Sequence, residues 1–462
     1  MFLSKTDPLR PALTATSKLG CLFALVLLSR LPFLDAGYGL NIDAWRVARA
    51  AREIATTGEY SVSRFPGYPL QEITCALFWR GGPCALNALT AIFSAVAATA
   101  FAVIVRRLGC RDWFLAGLAL AATPIFFVSS VCSKDYMWGL AFVLLSLLSA
   151  LNYRPAVAGA LLGLAIGCRP TSAAMALPIA LVVADGPPHG WRSIAKFAAA
   201  ASIIALLAFM PAFFRYGIGF LTFYANHPRP TGSLILIRST FEVWGGFGLI
   251  ALGIAAGGAW LARKQPHSNN PRIVWSILLI LAIYITAYLR LPDQAGYLLP
   301  IVPAALLLVC LFSPRPILQI AFFSLLFAPV AEPTPRGIRP GAILADHQDR
   351  LQNLANIRDL LQLTESASGN NTFVVGASEP EIAVLTPRLR DGRNRYVYLM
   401  TALEARAAIG DGRHLYYLPA MRKFNYEATG VDLAEYGALD LRCLLANSNC
   451  PPTLDSTLEV SK

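Results

Sequence analysis

Four turns in this chain hold charged side chains among apolar neighbours, and their residue types limit the chemistry available. "SSVCSKDYMWGLAF" sets Lys134 beside Asp135 within 113–151, a stretch with no other charge. "LLGLAIGCRPTSAAMALPIA" does the same with Arg169, and "YLRLPDQAGYLLPIVPAAL" brings Arg290, Asp293, Gln294 and Tyr297 to a turn. "GLNIDAWRVARAA" puts Asp43 just ahead of a helix-like run. A carboxylate can accept a proton, while Lys and Arg can hold an anion or stabilise growing negative charge. A charge near the bilayer centre costs about 2.5–3.5 kcal/mol on insertion scales, and an interfacial turn lowers that. Each residue therefore has a plainer alternative: a hairpin turn for Lys134–Asp135, a helix N-cap for Asp43, snorkelling for Arg169. The run 156–168 makes a helix of ~20 Å, short of a ~30 Å hydrocarbon core. That favours Arg169 held inside an outward-opening cavity.

The elements that position these residues are membrane spans. The chain of 462 residues is 56% hydrophobic and 14% charged, where a soluble domain carries about a quarter charged residues. Apolar runs predict about eleven spans, near 18–34, 84–105, 113–131, 136–151, 156–168, 171–184, 194–214, 243–262, 273–290, 297–312 and 317–331. This is a polytopic all-α membrane protein. Lys5, Arg10 and Lys18 precede the first run with no small-residue cleavage site after it, which reads as a retained signal-anchor.

The net charge of +12 would suggest nucleic acid in a soluble protein. Here the short loops "RRLGCRD", "NYRP", "DGPPHGWRSIAK", "RKQPHSNNPR" and "SPRP" are basic, as cytoplasmic loops are. The N-terminus is then cytoplasmic, and residues 35–83 and the C-terminal part face the other side. That outer side also holds Arg64, Arg169 and Arg290. Long loops escape the inside bias, but short turns do not, so Arg169 and Arg290 imply an anionic partner there. In the first outer loop, 44–57 reads as an amphipathic helix, with Arg46, Arg49 and Arg52 opposite Val47, Ala48 and Ala51. It is too short and charged to span, which predicts a helix lying in the membrane surface.

From about 337 the pattern changes. "TFVVGA", "RYVYLM" and "RHLYYLP" read as short strands, with "DRLQNLANIRDLLQL" and "TALEARAAI" as helices. The expected organisation is a membrane module over 1–336 and a small extracytoplasmic α/β domain over 337–462. "NNT" at 370–372 fits a glycosylation acceptor, a weak signal alone. The nine cysteines show no metal spacing. Cys21, Cys132, Cys168 and Cys310 read as packing residues, and Cys75/Cys84 and Cys443/Cys450 as short disulfide loops if an oxidising compartment holds them.

Taken in chain order, Asp43, "REIATTGEYSVSRFPGYPL", "TPIFFVSSVCSKDY", "AGALLGLAIGCRPTSA" and "GYLLPIVPAALLL" resemble the GT-C superfamily of membrane glycosyltransferases. The resemblance covers about residues 20–312. It is closest to the branch of protein O-mannosyltransferases and the lipid A aminoarabinose transferase. It implies an inverting transfer of a sugar from a polyprenyl-phosphate carrier, at the outer membrane face, to an envelope glycan, lipid or protein; the short loops point to a bacterial inner membrane. By the same resemblance, Asp43 matches the loop-one carboxylate that acts as base or positions the acceptor, and Asp135 matches the second polar turn. The chain departs from the pattern at "NIDAWRVA", where many relatives have paired acids or an acid followed by tyrosine. Relatives differ on divalent metal, and no metal cage is evident.

A glycosidase needs two carboxylates because its alkoxide leaving group must be protonated. A phosphate leaves as a stable anion, so one base suffices, with Lys134, Arg169 or Arg290 set against the growing charge. Arg64 and Tyr68, in "SRFPGYPLQE", then face phosphate or sugar, unless that stretch is only a stiff turn. Tyr297 shares the same outer level. The alternative function, a transporter or flippase of a lipid-linked sugar, should show inverted repeats or paired broken helices, and none is found. Neither the sugar nor the acceptor is legible.

Overall fold

The structure, a computed structural model, describes residues 9–185, 190–221, 231–262, 271–334, 337–366, 370–376, 384 and 393–440. Two compact units form: Met1–Gly39 with Ala50–Asp349, and Leu40–Arg49 with Arg350–Lys462. The Cys443/Cys450 pair lies outside the described residues.

In the first unit, α1 (Leu9–Arg30) leads into α2 (Ile42–Thr57) and α3 (Pro69–Phe78). Then follow α4 (Gly82–Arg107), α5 (Trp113–Ala122), α6 (Pro124–Ser130), α7 (Tyr136–Leu151) and α8 (Pro155–Cys168). After them come α9 (Ala176–Val183), α10 (Trp191–Tyr216), α11 (Gly232–Ser239), α12 (Phe241–Ala262), α13 (Pro271–Arg290), α14 (Ile301–Phe312) and α15 (Arg315–Phe327). An antiparallel hairpin of β1 (Ala331–Thr334) and β2 (Gly337–Pro340) precedes α16 (Ala342–Ser366).

Among the described residues five helices are long and apolar enough to cross a membrane, six if α5 and α6 form one bent span. The other expected spans are apolar helices of 10–17 residues. The reason is visible in the chain. Pro124 cannot continue the α5 hydrogen-bond ladder, Thr123 is extended, and the helix turns by 69°. Arg30 secures the bend: its Nη2 donates to the Ala121 carbonyl (2.5 Å) and its Nε to Ser130 Oγ (3.0 Å).

Helices α8 and α10 approach closely along Gly159, Gly163 and Gly167, the small-residue stripe that lets membrane helices meet backbone to backbone. A Cβ at Gly163 would lie 2.6 Å from Ile204 Cβ and 2.8 Å from the Ala201 carbonyl oxygen. Gly163→Val is expected to destabilise the unit by about 1–3 kcal/mol through overpacking. Thermal denaturation of detergent-purified protein checks it; an unchanged midpoint would show that the two helices can part without cost.

The apolar face of α2, including Trp45, Val47, Ala48 and Ala51, is buried in protein rather than laid open to lipid. The helix starts earlier than its charge pattern suggested, and Asn41 caps it, accepting from the Asp43 amide at 2.9 Å. Asp43 is therefore not the cap.

The second unit carries a parallel sheet in the order β4 (Asn394–Val397), β3 (Asn371–Val374), β5 (His414–Tyr417), β6 (Leu439–Asp440). Phe373 stacks on Tyr396 and Tyr416 in the neighbouring strands, with centroids 5.5 and 5.4 Å away. Helix α17 (Ala402–Gly410) opens with a capping box of Thr401 and Glu404. On α18 (Pro419–Thr429), buried Asn425 exchanges hydrogen bonds with the Met400 backbone (2.7 and 3.0 Å). The units divide between Asp349 and Arg350, inside α16.

Candidate functional site

The bend into α6 delivers a short turn, Val131 to Asp135, before α7 begins. Asp135 is wholly buried, and both its oxygens are taken. Oδ1 accepts from Arg64 Nη2 at 2.5 Å, and Oδ2 accepts from Arg169 Nη1. Burial alone would raise the Asp135 pKa, but the Arg169 and Arg64 charges and hydrogen bonds outweigh it and hold the carboxyl below its ordinary value.

Arg169 has an extended backbone between α8 and a 3₁₀ turn, so its side chain leaves the helix axis at the end of the short α8. The guanidinium lies 3.9 Å over the Tyr136 ring and 5.6 Å from the Tyr297 ring. That of Arg64 lies 4.0 Å over Tyr68. Planar aromatic faces suit a desolvated guanidinium. Lys134 Nζ donates to Gln294 Oε1 at 3.0 Å, which also accepts from the Tyr136 hydroxyl at 3.0 Å.

Arg64, Lys134 and Arg169 against Asp135 leave two positive charges in excess among side chains that are buried or nearly so. The Arg169 side chain spends one nitrogen on Asp135 and makes no other hydrogen bond among the described residues. It also lines a small cavity of about 10 Å³, room for about one water, with Tyr136, Ser172, Tyr284 and Leu299. Cations so arranged can hydrogen-bond and stabilise an anion.

Behind it, fully buried Asn87 in α4 holds the turn. Its Nδ2 donates to the Leu34 and Gly37 carbonyls (2.8 and 2.9 Å), and its Oδ1 accepts from Ser133 Oγ (2.7 Å). The Ser133 amide donates to the Tyr38 carbonyl at 2.9 Å.

No protein-family model matches the chain, and no curated protein matches it significantly. Solved structures do. The crystal structure of ArnT from Cupriavidus metallidurans in the apo state matches with a TM-score of 0.58, at 15% identity, over 86% of this chain and 89% of that one. The crystal structure of the same protein bound to undecaprenyl phosphate gives 0.59, at 14% identity, over 86% and 88%. The chain has the ArnT fold.

Within that ArnT-like fold, six of the eight expected site residues come together: Arg64, Tyr68, Lys134, Asp135, Arg169 and Tyr297. Arg290 does not. It ends α13 exposed, and its side chain makes no hydrogen bond or ion pair among the described residues. Asp43 belongs to the second unit, where it is 7% exposed and pairs with Arg46 Nη1 at 3.4 Å. Cys75 and Cys84 are free thiols, not a disulfide, the first buried and the second exposed. Among the described residues no three His, Cys, Asp or Glu side chains gather as metal ligands. Sequence reasoning missed Tyr136 as the shared platform for both cations, although it directly follows Asp135. It also missed Asn87, whose signal is a lone amide in the apolar run of α4.

Proposed function

We propose that the chain is an inverting glycosyltransferase that takes a sugar from a polyprenyl-phosphate carrier. The observation that carries this reading is the excess of two positive charges around Asp135, left by three cations and one carboxylate. A sugar on a polyprenyl phosphate is a phosphodiester with one negative charge. When the anomeric carbon–oxygen bond breaks, the electron pair stays on the phosphate oxygen and the charge rises to two. Cations matched to that product stabilise the transition state more than the ground state. The acceptor hydroxyl oxygen bonds to the anomeric carbon from the opposite face, and its proton goes to a carboxylate. Asp135 is poorly suited to that task, with both oxygens engaged and its basicity lowered. It acts as a positioning residue for Arg64 and Arg169. The GT-C resemblance offers Asp43 for that task, as the base or as the carboxylate that positions the acceptor. ArnT's bound undecaprenyl phosphate supports the same class of carrier. The charge distribution of the loops supports a site open to the extracytoplasmic side of a bacterial inner membrane.

The test is transfer from a panel of polyprenyl-phosphate sugars by purified protein. Asp43→Asn is expected to lower kcat by about 10²–10⁴-fold, with undecaprenyl phosphate binding little changed. Full activity in that variant would remove Asp43 from the mechanism. Movement of the lipid-linked sugar across liposomes without a new glycosidic bond would favour a flippase.

A further inference from the structure

One buried carboxylate takes no part in this chemistry. Glu72, in the first turn of α3, is fully buried and pairs with no Lys, Arg or His among the described residues. Three donors from one loop converge on it instead. Its Oε1 accepts from the Ser63 amide at 2.6 Å. Its Oε2 accepts from the Tyr68 amide at 3.0 Å and the Tyr60 hydroxyl at 2.5 Å. These two amides bracket Arg64. Between them the loop closes through the Gly67 amide and the Arg64 carbonyl at 2.8 Å. Gly67 has φ +99°, and a Cβ there would meet Tyr60 Oη at 2.7 Å. The backbone on both sides of Arg64 is thus tied to a single side chain. From that anchored loop Arg64 reaches Asp135 and lies across Tyr68.

We propose that Glu72 is a positioning residue: it holds the Ser63–Tyr68 loop in the one conformation that places Arg64 in the cation cluster, and so sets part of the site's affinity for a phosphate. The second half of this statement rests on the functional reading above; the first does not. The chemistry requires a carboxylate. The two Glu72 oxygens meet all three donors, whereas Gln presents an NH₂ to at least one of them, leaving a buried donor unmet.

The experiment has two arms on full-length protein in detergent. Amide exchange over residues 60–70 needs no ligand: Glu72→Gln is expected to speed exchange there at least tenfold while the spanning helices keep their protection. Undecaprenyl phosphate binding is the second arm: Glu72→Gln is expected to weaken it about tenfold, but by less than twofold in an Arg64→Ala background, because both changes remove the same contribution. If Glu72→Gln does not fold, Tyr60→Phe removes one of the three donors and should give the same pattern with a loss of about threefold. Unchanged exchange would overturn the proposal, as would equal losses in the two backgrounds, which mean that Glu72 serves only stability. If the wild type binds no undecaprenyl phosphate, the functional reading fails, and the exchange arm still decides whether Glu72 sets the loop.

Discussion

Asp135→Ala is expected to be the most damaging single change to stability, at about 3–5 kcal/mol, the usual cost of removing one partner from a buried ion pair. It leaves Arg64 and Arg169 desolvated and facing each other with no carboxylate between them. Thermal denaturation in detergent reads the loss. A second variant separates anchoring from function: with Arg64→Gln and Arg169→Gln added to Asp135→Ala, the stranded charges are gone. Much of the stability should return, while undecaprenyl phosphate binding should not. A single Asp135→Ala protein as stable as wild type would show that the triad is not the anchor. The pH dependence has a definite sign. The Asp135 carboxyl is lowered in the folded state, so its contribution is present above the ordinary Asp value of about 4 and is lost as pH falls through the lowered one. Between pH 5 and 8 it should leave the melting midpoint flat.

Arg169→Gln is the second large expectation, this time on binding. Asp135 keeps Arg64, so folding suffers less than with Asp135→Ala. What disappears is the cation that lines the cavity and has a single nitrogen committed to Asp135. Affinity for undecaprenyl phosphate should fall by about 10²-fold or more, in line with the ~2–5 kcal/mol lost when one partner of a buried, hydrogen-bonded charge pair is truncated. Arg169→Lys should fall between, since it keeps the charge but loses the planar fork and its stacking on Tyr136. Added salt should weaken wild-type binding only modestly, because a buried cluster is poorly screened. Equal affinities in wild type and Arg169→Gln would move the anion site elsewhere.

The two variants together explain why some of this site was legible in the chain and some was not. Lys134, Asp135 and Arg169 stood out because charge in apolar surroundings needs a partner or a purpose, and the structure supplies partners. The strands of the second unit were legible because aromatic and β-branched residues there form short runs between polar helices. Arg290 is the ambiguous one, because a basic residue at a helix end serves equally as an interfacial anchor, and it is exposed. Asp43 looked like a cap because Asp commonly caps, yet Asn41 precedes it and takes the role. Cys75 and Cys84 had a loop-like spacing, but they sit on different helices, one buried and one exposed. Glu72 was hidden because its partners are backbone amides and a tyrosine hydroxyl, and no charge pattern announces them.

An experimental structure with undecaprenyl phosphate bound is the most direct measurement of the central claim. The account requires the phosphate oxygens within about 3 Å of Arg169 and Lys134, with Asp135 still gripping both arginines. A phosphate seated away from these two residues, with their side chains unmoved, would contradict it.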